Sequence, residues 1–253
     1  MNDLTALREA FARTRSGSKH ACYQEVPALL APLLAETAES GLRRYERARL
    51  NFMLEHLDVA DRHVLDIGCN SGFFLLEMLA AGARHATGYE GSAEHARFLG
   101  QATQALELQA RLQVHPRYFD FEHESGHYDV ALLLNVLHHV GDDYGDPALA
   151  VEDARAEILR SLRRMREHCD VLVFQLGFNW KGDRHACLFE HGTIEEMVAF
   201  VSDGTRGTWQ VQRIAVAERG DDGAIAYRDL DARNRHRKDE LGEFLNRPLF
   251  ILT

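Results

Sequence analysis

The stretch His63-Val-Leu-Asp-Ile-Gly-Cys-Asn-Ser-Gly-Phe73 runs an apolar strand pattern into a glycine-bearing turn, and the turn into the apolar run Phe73-Phe-Leu-Leu. A strand that passes through a tight turn into a helix opens a parallel βαβ unit, which restricts the chain to an α/β architecture. Gly68 and Gly72 let the backbone bend sharply and approach a ligand closely. Position 70 is Asn, one of the few residues that tolerate a left-handed backbone. The spacing G-x-N-x-G lacks the middle glycine of a dinucleotide fingerprint, and no Gly-Lys-Ser/Thr follows as a phosphate-gripping loop would need. Asp66 at the strand end disfavours a pyrophosphate and suits an ammonium group.

Beyond residue 61, short apolar runs alternate with amphipathic stretches. Strands are expected at 63–67, 85–90, 112–119, 128–136 and 170–177, and helices at 73–82, 92–107 and 147–168. A helix at 193–203, a strand at 209–218, a polar stretch at 219–246 and a closing strand at 248–252 complete the chain. This alternation argues for a mostly parallel sheet with helices on both faces. Residues 1–60 read as helices instead: Ala6, Leu7, Ala10 and Phe11 recur at helical spacing, as do Leu42, Tyr45, Leu50, Met53, Leu54 and Leu57. A loop is expected at Ser16–His20 and a helix from Pro27 to about Ser40. The expected division is a helical cap or lid over 1–60 and a catalytic domain over 61–253, with Lys19–Gln24 as the part that would close over a ligand.

The net charge of −10 argues against a phosphate backbone as partner. The basic clusters Arg43-Arg44-Tyr-Glu-Arg47-Ala-Arg49 and Arg233-Asn-Arg235-His-Arg237-Lys238 read as solvated helix faces. Cysteines at 22, 69, 169 and 187 form no C-x-x-C pair and are expected as free thiols in a reducing cytoplasm. The N-terminus has no secretory-signal pattern, and the longest apolar run, Val130–Leu134, is too short to span a bilayer. A soluble cytoplasmic protein, monomer or homodimer, is the expectation.

Glu90 ends the second expected strand, where a carboxylate can accept both hydroxyls of a ribose; the competing role is to cap the helix that follows. Taken together, these segments resemble the class I S-adenosylmethionine-dependent methyltransferase family. Val64–Gly72 is similar to its first motif and Gly88-Tyr-Glu90 to its second. Tyr118-Phe-Asp120-Phe121 resembles the segment that brackets the adenine, and Tyr128–Val140 the fourth motif. Asn70, where many members carry Gly, is the departure. The resemblance implies a Rossmann-like, seven-stranded, mostly parallel sheet that ends in an antiparallel strand. It implies S-adenosylmethionine as cofactor, held by Asp66, Gly68, Cys69, Asn70, Gly72, Glu90, Asp120, Phe121 and Asn135.

Methyl transfer asks the protein to align a nucleophile and to remove its proton. His138 and His139, after the fourth strand, are the candidate bases; as neighbours they are not expected to face one point, so one is functional and the other packs. Asp142, Asp143 and Asp146 could bind a substrate ammonium, hold a hard metal ion with histidine help, or form a solvated turn with Asp146 as a helix cap. No metal is assigned. Asp142, Asp143 and Tyr144, with Asn179, Trp180 and Lys181 after the fifth strand, are the candidate substrate contacts. The expected acceptor is an amine or hydroxyl of a small polar metabolite, such as an aminosugar, aminocyclitol or sugar derivative. The alternatives are a tRNA-modifying enzyme and a regulator that binds the cofactor without turnover.

Overall fold

The computed structural model describes residues 2–15, 24–34 and 45–253. Expectations for the loop 16–20, for residues 19–23 of the closing stretch, for Cys22, and for the helix beyond residue 34 lie outside the described residues.

The chain forms two compact units, residues 1–119 with 128–130, and residues 120–127 with 131–253. In the first unit, α1 (Asn2–Thr14), α2 (Ala31–Leu34) and α3 (Glu46–His56) precede β1 (His63–Ile67), α4 (Phe73–Ala80), β2 (His85–Tyr89), α5 (Ala93–Ala105) and β3 (Leu112–His115). β1 pairs with β2 and β2 with β3, both in parallel. Of the faces expected for α1 and α3, Leu7, Ala10 and Phe11, and Leu50 and Met53, are buried, whereas Ala6, Tyr45, Leu54 and Leu57 are only half-buried, and Leu42 lies outside the described residues. α1 packs on α5, with the Phe11 and Phe98 rings 5.2 Å apart. β3 stops at His115, short of the expected 119, because Pro116 has no N–H for the ladder.

β4 (Tyr128–Leu134) crosses from one unit to the other. The second unit continues with α6 (Val151–His168), β5 (Cys169–Gln175), α7 (Ile194–Gly204), β6 (Val211–Arg219), β7 (Ile225–Asp229), α8 (Gly242–Leu245) and β8 (Leu249–Leu252). Among the described residues the strand order is β3-β2-β1-β4-β5-β8-β6-β7, eight strands rather than the expected seven. The additional strand is β7, inside the stretch read as polar. It turns back on β6 through Asp221-Asp-Gly223, where Gly220 N donates to Ala224 O and Ala224 N to Asp222 Oδ1. As expected, β8 is antiparallel, and it pairs with both β5 and β6. α6 begins at Val151 rather than 147, since Asp146 closes its own turn on Ala148 N and Leu149 N.

Arg47 and Arg49 correct the reading of the first basic cluster as a solvated face. Arg49 is buried beside Glu46, with its guanidinium 5.3 Å from the Phe74 ring centre. Arg47 makes a bidentate pair with Glu77 of α4. In the second cluster Arg233 is solvated and pairs with Asp231, whereas Arg237 lies over the Phe178 ring. Cys69, Cys169 and Cys187 are free thiols. No helix among the described residues is long and apolar enough to cross a membrane.

Candidate functional site

The turn after β1 is built from left-handed residues: φ is +74° at Gly68, +50° at Asn70 and +82° at Gly72. Gly68 N and Cys69 N both donate to Tyr89 O at the end of β2, which draws the turn against Glu90. Asn70 supports its own strained position by accepting from Ser71 N through Oδ1. Space also fixes two glycines. A Cβ at Gly72 would lie 2.2 Å from Leu99 Cδ2, and one at Gly88 would lie 2.8 Å from Cys69 Sγ and 2.6 Å from Leu75 Cδ1.

Glu90 makes the contact foreseen at the start of the following helix and also holds the turn. Its Oε1 accepts from Ser92 N at 2.7 Å, at the start of α5, and its Oε2 from Asn70 N at 2.6 Å. Asp66 is 2% exposed, and its Oδ2 has no hydrogen-bond partner among the described residues. Burial, with Glu90 nearby, pushes its carboxyl up to about 8, and Arg49 opposes the shift. An unmatched buried carboxylate at a strand end fits the ammonium of an amino acid, the end of S-adenosylmethionine that needs such a partner. Burial and these carboxylates hold the Cys69 thiol far above its ordinary range, so it packs as a small apolar group.

The segment after β3 divides. Tyr118 is exposed and lies on Gly91, where a Cβ would be 2.3 Å from the ring. In the second unit Asp120 is exposed and caps a turn, accepting from Glu122 N at 2.9 Å and His123 N at 3.2 Å. These bonds, with His123, hold its carboxyl below the ordinary range. Phe121 is buried, with its ring centre 6.2 Å from that of Tyr144.

Asn135 follows β4 at φ +62°. Its Nδ2 donates to Gln175 Oε1, and its Oδ1 accepts from Arg247 Nη1 at 2.8 Å. Arg247 also grips Glu243, which accepts from Phe178 N. The side chain expected to meet cofactor thus also joins a network within the protein. Sequence reasoning missed Arg247 and Glu243; their i,i+4 spacing with Glu first was the available signal.

A single 3-10 turn, Leu137–His139, carries both histidines, with ring centres 4.3 Å apart. His138 is buried, and its Nδ1 accepts from Gly177 N at 3.3 Å. Burial, with Arg247 and His139 nearby, holds it far below its ordinary range, so it stays neutral with its proton on Nε2. The His139 side chain is 24% exposed, with Nδ1 3.8 Å from Asp142 Oδ2 and 3.6 Å from Asp143 Oδ2. Ligand-type atoms of these three residues fall within 4.8 Å of one another. Tyr144 donates to Leu137 O, and burial keeps its phenol above its ordinary range. Trp180 is buried and donates from Nε1 to Val140 O at 2.7 Å. Lys181 folds over the Trp180 ring, with Nζ 4.1 Å from its centre. Asn179 pairs with Cys187 across a short loop.

The family model described as a methyltransferase domain matches residues 34–171, more than half of the chain. Among solved structures, magnesium protoporphyrin IX methyltransferase from Synechocystis PCC 6803, with bound S-adenosylmethionine, is 15% identical, with a TM-score of 0.51 over 100% of this chain and 97% of that one. WbdD, described as a bifunctional kinase-methyltransferase, is 16% identical, with a TM-score of 0.54 over 84% of this chain and 41% of that one. At these identities the likeness is one of fold. No curated protein matches the sequence. With the turn geometry, the buried Asp66 and the family match in agreement, the chain belongs to the methyltransferase-domain family and is a class I S-adenosylmethionine-dependent methyltransferase.

Proposed function

We propose that the acceptor is an amine or hydroxyl of a small polar metabolite, with an aminosugar or aminocyclitol amine first. The observation that carries this reading is His139 flanked by Asp142 and Asp143. Two carboxylates attract an amine in its cationic form, and they place the His139 imidazole beside it. When bound, the cofactor supplies an electrophilic methyl group. His139, in its neutral form, takes a proton from the bound ammonium and so frees the nitrogen lone pair that would bond to the methyl carbon as the donor's carbon–sulfur bond breaks. Asp66 holds the ammonium end of the cofactor and Glu90 the ribose hydroxyls. Asn179 and Lys181 orient the polar substrate, Tyr144 and Trp180 shape its site, and His138 is the packing partner of the pair. The net charge of −10 opposes a nucleic-acid acceptor.

Labelled methyl donor should pass to at least one member of a panel of aminosugars, aminocyclitols and sugars. Transfer to RNA alone, or to nothing in the panel, would sink the reading. The His139→Ala variant should lose about 10²–10⁴-fold in kcat while still binding donor. An unchanged rate would remove His139 as base.

A further inference from the structure

The turn that receives the cofactor is held from two directions. Glu90 is one anchor, through Asn70 N. The other comes from far upstream in sequence. Gln24 is 5% exposed, and its Oε1 accepts from Ser71 Oγ at 2.9 Å and from Phe73 N at 3.3 Å. One oxygen thus bridges the residues on either side of Gly72, which sits at φ +82° with no room for a side chain. Phe73 N is among the donors that the first turn of α4 leaves without a helical acceptor, and Gln24 supplies one.

The same upstream segment is fastened again, one turn along α4. Ala28 N donates to Glu77 Oε1 at 2.7 Å, and Arg47 locks Glu77 from α3. Arg8 Nε donates to Leu33 O, so α1 braces the far end of the segment. Residues 24–34 are therefore tied to the turn and to α4 through named bonds, and the bond nearest the strained backbone is made by a side chain.

We propose that Gln24 is a positioning residue for the methyl donor: it fixes the 70–73 turn in its donor-binding shape and couples the docking of residues 24–34 to occupancy of the Asp66–Glu90 site. Gln24 is not placed to touch a reacting atom. It acts through Ser71 and Phe73 N, and its effect falls on donor affinity more than on turnover. The inference rests on the methyltransferase reading.

Calorimetry with S-adenosylhomocysteine tests it. Gln24→Ala should weaken binding roughly tenfold, as expected for losing two hydrogen bonds at a buried turn. At saturating donor, kcat should stay within about twofold, so that the change sits in KM. Wild-type affinity in Gln24→Ala, or a loss in kcat at saturating donor as large as the loss in affinity, would overturn the proposal. Should Gln24→Ala fail to fold, hydrogen exchange on the unaltered chain decides. Ligand should slow the amides of 24–34 together with those of 70–76, and slowing confined to 70–76 overturns the coupling. A wild-type chain that binds no S-adenosylhomocysteine would remove the methyl-donor reading itself, and this inference with it.

Discussion

Asp66 carries an acid whose ordinary value of 3.8 is pushed to about 8. Between those values the folded chain keeps a proton that the unfolded chain has released, so this group makes stability fall as pH rises through the window. An ammonium placed beside Asp66 favours the ionised form, so binding below about 8 must expel that proton. The heat of S-adenosylhomocysteine binding near neutral pH should therefore vary with the ionisation enthalpy of the buffer, and the variation should vanish in Asp66→Asn. A heat independent of buffer in the wild type would contradict the burial argument. At this scale the sequence was informative wherever chemistry is local. Asn70 is of a residue type that tolerates a left-handed backbone, and it sits at φ +50°. Asn135 was not legible in the same way, because Gln175 and Arg247, 40 and 112 residues away, decide where its amide points.

α7 shows what an element can declare about itself. Thr193 accepts from Glu196 N at 3.1 Å, while Glu196 accepts from Thr193 N at 3.0 Å, a reciprocal cap closed within four residues. Thr193→Ala should cost about 1 kcal/mol in denaturant unfolding; no measurable loss would mean that packing alone holds the helix start. α3 shows the opposite case. Its arginines looked solvated, yet Glu46, Arg49, Leu50 and Met53 form one buried stripe at helical spacing, and Arg47 meets Glu77 30 residues later. β7 lay between these cases. The Asp222-Gly223 dipeptide was a hairpin signal, but alternation along Ile225–Asp229 is weak because only Tyr227 is fully buried.

For the molecule as a whole, the α/β architecture was readable because parallel strands and their helices leave two distinct periodicities in sequence. The strand order was not, since β8 inserts between β5 and β6 although it follows both. The interior place of β8 makes a prediction about the second unit. Both tryptophans, Trp180 and Trp209, belong to that unit and are buried. A chain ending at Pro248 leaves β5 and β6 without the strand that pairs with each of them. Its tryptophan emission should shift to the red relative to the intact chain, and native emission would show that β8 is dispensable for that packing.

That placement also bears on synthesis. A strand that completes the middle of a sheet cannot take its position until it has cleared the ribosome, whereas β1, β2 and β3 pair in parallel among themselves within residues 63–115. The nascent chain can thus assemble the Asp66–Glu90 turn early, while the edges of β5 and β6 wait, unpaired and open to wrong partners, for Leu249–Leu252 to emerge. Those edges stay open to other strands until β8 arrives to close them.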